Sequence, residues 1–222
     1  MNERGAVVWG VVYAAGYGRR FGGYKQFERL AGEERLVDRC VRVASAVCDR
    51  VVLVLPPGFA WDGPPVERVV PGGETNPDSV RAGVAAVPAD VEIILLHSPS
   101  HPLVTVDLAR SVVGAVLQDG VDVALPATPI YDVLKRVDAR GIILETIPKT
   151  EVRLTQAPMA FRAEVLRRAL TTGIDDTDAQ AIAERAGAVC ATVPGLPFNL
   201  HVTTRLELEV ACRLASLAEV VP

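Results

Sequence analysis

The sequence has no CxxC pair, and its four cysteines, Cys40, Cys48, Cys190 and Cys212, lie far apart. That spacing argues against a zinc site or a disulfide framework and for buried thiols in a reducing compartment. The apolar run behind the polar N-terminus covers only residues 6–15, is interrupted by Gly10 and Tyr13, and is followed by Arg19 and Arg20. A bilayer-spanning helix needs about 20 consecutive apolar residues. With no signal-peptide pattern either, a cytoplasmic protein is expected. Basic charge is not in excess: the formal net charge is −4 and the arginines are scattered. No basic stripe is available for nucleic acid or an anionic membrane surface. Internal repeats, low-complexity tracts and linkers are absent too, so residues 1–222 are read as one domain, a length that suits a single large α/β unit.

What is present is an alternation. Half of the residues are hydrophobic, and Val/Ile/Leu-rich runs at 6–13, 50–55, 67–70, 91–97, 121–125 and 188–193 predict strands. Between them, amphipathic stretches near 34–47, 77–87, 105–118, 162–171, 178–187 and 204–217 predict helices. Near-continuous apolar strands separated by helices specify a mostly parallel sheet covered on both faces. Residues 136–155 break this rhythm. The turn signal Asp138-Ala139-Arg140-Gly141, flanked by partial alternation, predicts a β-hairpin arm. Such an arm either lies solvated on the surface or reaches a second copy, and closed homodimers are the commonest assembly.

The first strand runs directly into Ala14-Ala15-Gly16-Tyr17-Gly18-Arg19-Arg20-Phe21-Gly22-Gly23-Tyr24-Lys25. Glycines there let backbone N–H groups close around phosphate oxygens, and Arg20 and Lys25 add charge-assisted contacts. A dinucleotide fingerprint would need glycine at position 21, where Phe21 stands, and the nearest suitably spaced acid, Asp38, falls in a helical pattern. A P-loop would need Gly-Lys-Ser/Thr at its end, which is missing. The remaining reading is the nucleotidyltransferase loop, small-small-Gly-x-Gly-x-Arg followed by Lys.

On these residues the loop resembles the signature of the methylerythritol-phosphate cytidylyltransferases and the related ribitol-phosphate cytidylyltransferases, with Tyr24 in place of the usual Pro before the Lys. Further segments resemble the family's motifs in order: residues 72–80 (GGETNPDSV), 96–102 (LHSPSHP), 129–135 (PIYDVLK), 156–161 (QAPMAF), Thr177-Asp178 and 199–203 (NLHVT). The resemblance implies a Rossmann-like nucleotidyltransferase fold and transfer of CMP from CTP to a small alcohol phosphate, with release of pyrophosphate. It implies that Ala14, Ala15, Gly16, Gly18, Gly73, Glu74 and Ser79 bind the nucleotide and that Arg20, Lys25 and His201 serve catalysis. Asp132, His101 and Lys149 fall at acceptor-side positions, some reached through a partner's arm, and Mg²⁺ is the implied cofactor.

Several positions depart from that pattern. Ser98 stands where the family has its metal-holding Asp, and a neutral hydroxyl is a far poorer Mg²⁺ ligand than a carboxylate. His101 and Asn76 stand at Arg positions, Val133 and Ala157 at Thr positions, and His201 at a Lys position. Loss of one transition-state donor typically costs ~10²–10³ in rate, so these changes predict an altered acceptor, a nucleotide- or partner-binding protein without turnover, or a methylerythritol-phosphate enzyme that tolerates them. All three histidines of the chain, His97, His101 and His201, fall in two of these segments. His101 and His201 replace permanent cations by groups that titrate near neutrality, which suggests pH-dependent phosphate contacts or, less simply, a transition-metal pair. The acidic pairs Glu33-Glu34 and Asp175-Asp176 read as helix N-terminal charges and caps. Trp9 reads as core, and Trp61, among prolines, as a loop anchor.

Overall fold

The computed structural model describes residues 5–32, 34–172 and 178–218. The chain begins with β1 (Val8–Tyr13), a short hairpin of β2 (Arg29–Ala31) and β3 (Glu34–Arg35), α1 (Leu36–Ser45), β4 (Arg50–Leu55), β5 (Arg68–Pro71), α2 (Asn76–Ala85) and β6 (Ile93–His97). It continues through α3 (Val106–Val116), β7 (Val123–Pro129), an arm of β8 (Leu134–Val137) and β9 (Ile143–Ile147), β10 (Arg153–Thr155) and β11 (Met159–Arg162). The last elements are α4 (Ala163–Thr171), α5 (Ala179–Arg185), β12 (Cys190–Pro194) and α6 (Arg205–Ala218).

The central sheet runs β10-β7-β11-β6-β1-β4-β5, with β12 also paired to β7. β1 lies parallel between β4 and β6, in the registers Val11↔Val52 and Val11↔Leu96. β10 and β11 are the antiparallel members, pairing with opposite ends of β7 (Thr155↔Ala127 and Phe161↔Val123). Alternation along each strand sends residues to two cores. Val11, Val54, Ile94, Leu96 and Phe161 face α2, α4 and α5. Val12, Leu53 and Leu55 meet α1, while Ile93, Leu95 and Ala160 meet α3. Both faces are therefore buried, which is why these strands read as unbroken apolar runs. A smaller cluster joins α6 to Phe21, Leu30, Leu36 and Val202, carrying the C-terminal helix to the glycine-loop end of the sheet.

The expected helices and parallel strands are all present within a few residues of their predicted ends. Four expectations need correction. Residues 136–155 are not one arm: β8 and β9 form a separate two-stranded sheet, but β10 returns to the central one. The hairpin turn itself is as expected, with the Asp138 carboxylate accepting from the amides of Arg140 and Ile142 at 2.9 Å each. Glu34 does not cap a helix; it sits in β3 and pairs with Arg39 and Arg42 across the start of α1, while Glu33, Asp175, Asp176 and Thr177 lie outside the described residues. Of the thiols, Cys40 and Cys48 are buried but Cys190 and Cys212 are only half-buried. Finally, Trp9 is only partly buried, packed at the margin of the core. Trp61 does anchor its loop, donating from Nε1 to the Pro64 carbonyl at 2.8 Å beneath the Arg35 guanidinium.

Candidate active site

In an open α/β sheet, ligands bind outside the carboxyl ends of the strands where the order reverses. Here that point is the end of β1, flanked by β4 on one side and β6 on the other. The glycine loop leaves β1 there, and the segment 98–102 leaves β6 beside it. Between them opens a pocket of about 250 Å³, lined among others by Gly16, Gly18, Arg20, Lys25, Ser98 and His201.

The loop is fixed from inside. Gly18 has φ of 60°, and its carbonyl accepts from the amides of Phe21, Gly22 and Gly23. A Cβ at Gly18 would lie 2.6 Å from the Gly23 carbonyl oxygen, so this turn demands glycine. Buried Gln26 donates from Nε2 to the carbonyls of Ala14 (2.7 Å) and Gly16 (3.2 Å), pinning the loop to the end of β1. On its outer side, Tyr17, Tyr24, Phe27 and Phe59 form a chain of ring contacts between 4.9 and 6.3 Å.

Lys25 follows the loop, and its ammonium donates to the Val202 carbonyl at 2.6 Å. The Val202 amide in turn donates to the Ser100 carbonyl at 2.7 Å, so one residue ties the C-terminal segment to both loops. Burial, and then the nearby Arg20 charge, lower the Lys25 pKa to about 8 against a weaker opposing pull from Glu207. The amine is thus still largely protonated at neutral pH yet poorly solvated, which strengthens its pull on an incoming anion.

The segment after β6 brings Ser98, which exchanges hydrogen bonds with Ser100 (3.1 Å between hydroxyls, 3.3 Å from the Ser100 amide) and lies beside the Tyr13 phenol. Burial pushes that phenol up, keeping it neutral. His97 is fully buried, with Nε2 3.5 Å from the Cys40 sulfur and 3.4 Å from the His101 carbonyl, and burial lowers its pKa to about 4. It is a core histidine that holds the following turn in place. The His101 and His201 rings lie 4.9 Å apart, and the His201 Nδ1 is 2.9 Å from the Thr203 hydroxyl.

Another wall of the site is formed by the start of α2, whose first residue, Asn76, lines the pocket. Thr75 caps that helix by accepting from the Asp78 amide at 3.2 Å while Asp78 accepts from Thr75, the reciprocal capping arrangement. Gly72 lies against the loop so closely that a Cβ there would fall 2.2 Å from that of Ala15. Ser79 is buried and donates to the Thr75 carbonyl at 3.1 Å, whereas Gly73 and Glu74 are exposed at the helix head.

The structure therefore assembles Ala14, Gly16, Gly18, Arg20, Lys25, Ser98 and His201 around one pocket, with Asn76 at the head of α2; Ala15, Gly73, Glu74 and Ser79 do not line it, and His101 packs beside His201 outside it. The structure does not bring Asp132 or Lys149 there. Both are exposed at the base of the arm, where the Lys149 ammonium donates to the Tyr131 carbonyl at 2.6 Å. Sequence reasoning gave no role to Tyr13, Gln26, Ser100 or Thr203, although all four line the pocket.

No carboxylate lines the pocket among the described residues, and the Ser98 hydroxyl is neutral and already engaged. Magnesium prefers carboxylate and phosphate oxygens, so the side chains present do not fit a protein-held Mg²⁺ ion.

A parallel sheet with a glycine-loop pocket at its reversal point, rimmed by Arg20 and Lys25, defines a nucleotidyltransferase. The family model for 2-C-methyl-D-erythritol 4-phosphate cytidylyltransferase (IspD) matches residues 8–215. The chain is 39% identical over 218 residues to the bifunctional enzyme IspD/IspF of Anaeromyxobacter dehalogenans, covering 90% of this chain but 55% of that protein. It is 36% identical over 221 residues to the 2-C-methyl-D-erythritol 4-phosphate cytidylyltransferase of Nocardia farcinica, covering 95% of this chain and 94% of the relative. The crystal structure of the Thermus thermophilus 2-C-methyl-D-erythritol 4-phosphate cytidylyltransferase superimposes with a TM-score of 0.79 at 25% identity, covering 95% and 99% of the two chains. The chain belongs to the 2-C-methyl-D-erythritol 4-phosphate cytidylyltransferase family.

Proposed function

We propose that this chain transfers CMP from CTP to the phosphate of 2-C-methyl-D-erythritol 4-phosphate, releasing pyrophosphate. The observation that carries this reading is the convergence of the glycine loop, Arg20, Lys25 and His201 on one pocket at the end of β1. In the reaction an acceptor phosphate oxygen attacks the α-phosphorus as the bond to the β-phosphate oxygen breaks. Catalysis of this kind is mainly positioning and stabilisation of charge on the phosphates. The backbone around Gly16 and Gly18 cradles the triphosphate, and Arg20 and Lys25 neutralise charge accumulating on the departing pyrophosphate. Ala14, Ala15, Gly73, Glu74 and Ser79 hold the cytidine end. With no carboxylate lining the pocket among the described residues, the protein's own cations carry the electrostatic work there. Nothing in the fold or the comparisons favours the non-catalytic alternative.

Asp132, Lys149 and His101 are assigned to the acceptor. Asp132 and Lys149 stand outside this chain's pocket, beside an arm that exposes Ile142, Ile143 and Leu144 and is flanked by exposed Tyr131, Val133 and Leu154. An apolar surface of that kind on a hairpin suits a homodimer contact, which would set Lys149 at the partner's pocket. The chain is assigned to the cytoplasm as one domain with its arm; among the described residues no helix is long and apolar enough to cross a membrane.

The test is pyrophosphate release from CTP, UTP, ATP and GTP, each with and without 2-C-methyl-D-erythritol 4-phosphate. Release dependent on both CTP and the acceptor is the expected outcome. Release from no nucleotide, or release indifferent to the acceptor, removes the reading.

A further inference from the structure

Two imidazoles stand where the pocket meets the C-terminal segment. His201 lines the pocket beside Arg20 and Lys25, with its Nδ1 2.9 Å from the Thr203 hydroxyl. Its other ring nitrogen is left for a ligand. The charged and titratable groups around it come from four places: Arg20 on the glycine loop, Lys25 just after it, Glu207 at the start of α6, and His101 on the loop after β6. The His101 ring packs against His201 at 4.9 Å, tilted by 50°, and its own titratable neighbours are His97 and Lys25.

This surrounding disfavours the imidazolium form of both rings in the protein without ligand. Burial, then Lys25 and Arg20, hold His201 below the ordinary histidine value, with Glu207 opposing weakly. Burial, then His201, His97 and Lys25, lower His101 to about 3. His201 is the more exposed of the two rings, and it is the one a ligand in the pocket would touch. A triphosphate seated among Arg20, Lys25 and His201 would reverse the sign of the local field, because its charge more than offsets the two cations that disfavour the imidazolium.

We infer that His201 takes up a proton from solvent when a nucleotide's triphosphate enters the pocket, so that nucleotide binding tightens as pH falls. This rests on the reading of the pocket as a CTP site. The bound nucleotide raises the His201 pKa above its value in the free protein. Affinity therefore rises as pH falls through the bound-state pKa and levels off below the free-state one, by at most about tenfold per pH unit for one proton. His101 remains neutral, a half-buried ring tilted against the imidazolium that forms.

The experiment is calorimetric titration with CTP between pH 6 and 8, in two non-phosphate buffers of different ionisation enthalpy, on the wild type, His201→Lys, His201→Gln and His101→Gln. Protonation changes on CTP itself are common to all four proteins, so the difference between proteins is the readout. The wild type is expected to take up more protons than His201→Lys, the difference approaching one, and to lose affinity more steeply as pH rises. His201→Gln is expected to bind more weakly than wild type at low pH, with the shallow pH dependence of His201→Lys, and His101→Gln to retain the proton uptake. If His201→Lys does not fold, the wild type against His201→Gln makes the same comparison. Equal proton uptake and equal pH slopes in wild type and both His201 variants would overturn the inference while leaving the CTP site standing. Absence of CTP binding in every protein would overturn both.

Discussion

The glycine-loop pocket and the hairpin arm are built in opposite ways. In the pocket, polar groups find partners within the same chain: Gln26 binds the Ala14 and Gly16 carbonyls, Lys25 binds Val202, and the Gly18 carbonyl gathers three amides. The result is a cavity whose shape exists before any ligand arrives, which is what electrostatic catalysis requires. The arm is the reverse. Its backbone pairs only with itself, as β8 with β9, and Ile142, Ile143 and Leu144 are each more than half exposed. Leaving such side chains in water forgoes roughly 1.5–3 kcal/mol apiece relative to burial. One region takes its shape from bonds within the chain, and the other leaves an apolar surface exposed.

The sharpest way to break the first half of this comparison is Lys25→Ala. Its ammonium is poorly solvated and central to the pocket, so kcat/KM for CTP-dependent pyrophosphate release should fall by ~10²–10³. Global stability should change by only about 1 kcal/mol, from the lost bond to Val202. A variant of near-normal activity would remove Lys25 from the catalytic set. For the second half, Ile143→Asp with Leu144→Asp places two carboxylates on the apolar arm. If the arm is buried against a partner, the dimer dissociation constant should rise at least ~100-fold, since an unpaired buried charge costs several kcal/mol. Sedimentation velocity reads this directly, and a wild type that already sediments as a monomer would sink the arm contact.

A smaller effect separates the scaffold from the site. Gln156 is buried, and its amide donates to the Leu196 and Asn199 carbonyls at 2.8 and 3.0 Å and accepts from the Leu196 amide at 3.0 Å. Gln156→Ala leaves those groups unpaired, and unfolding in urea should show a loss of about 2–3 kcal/mol. Leu196 and Asn199 lead into the segment of His201 and Val202, so CTP affinity should also weaken, though by less than in Lys25→Ala. An unchanged urea midpoint would show that water replaces the amide without cost.

The parallel strands were legible because burial on both faces writes them as apolar runs that no surface segment imitates. β11 was not, because four residues behind Gln156-Ala157-Pro158 carry too short a pattern, and β2 with β3 is shorter still. In the site, the glycine loop was legible because its chemistry is local: spacing alone puts the glycines, Arg20 and Lys25 in one turn. What escaped was long-range. Nothing near Gln26 announces that its amide holds the loop, and the contact of the His101 and His201 rings joins residues on two separate segments. Ser98 was visible as a hydroxyl at a carboxylate position, but its place beside Tyr13 needed β1 and β6 to lie side by side.

The most direct test of the central claim is ³¹P NMR of one sample holding the protein, CTP and 2-C-methyl-D-erythritol 4-phosphate. The spectrum separates CTP, pyrophosphate and a diphosphate-linked product. The account predicts that CTP is consumed while pyrophosphate and the diphosphate product appear in equal amounts, and that CTP persists when the acceptor is left out. Unchanged CTP in the full mixture, or CTP broken down without a diphosphate product, would contradict it.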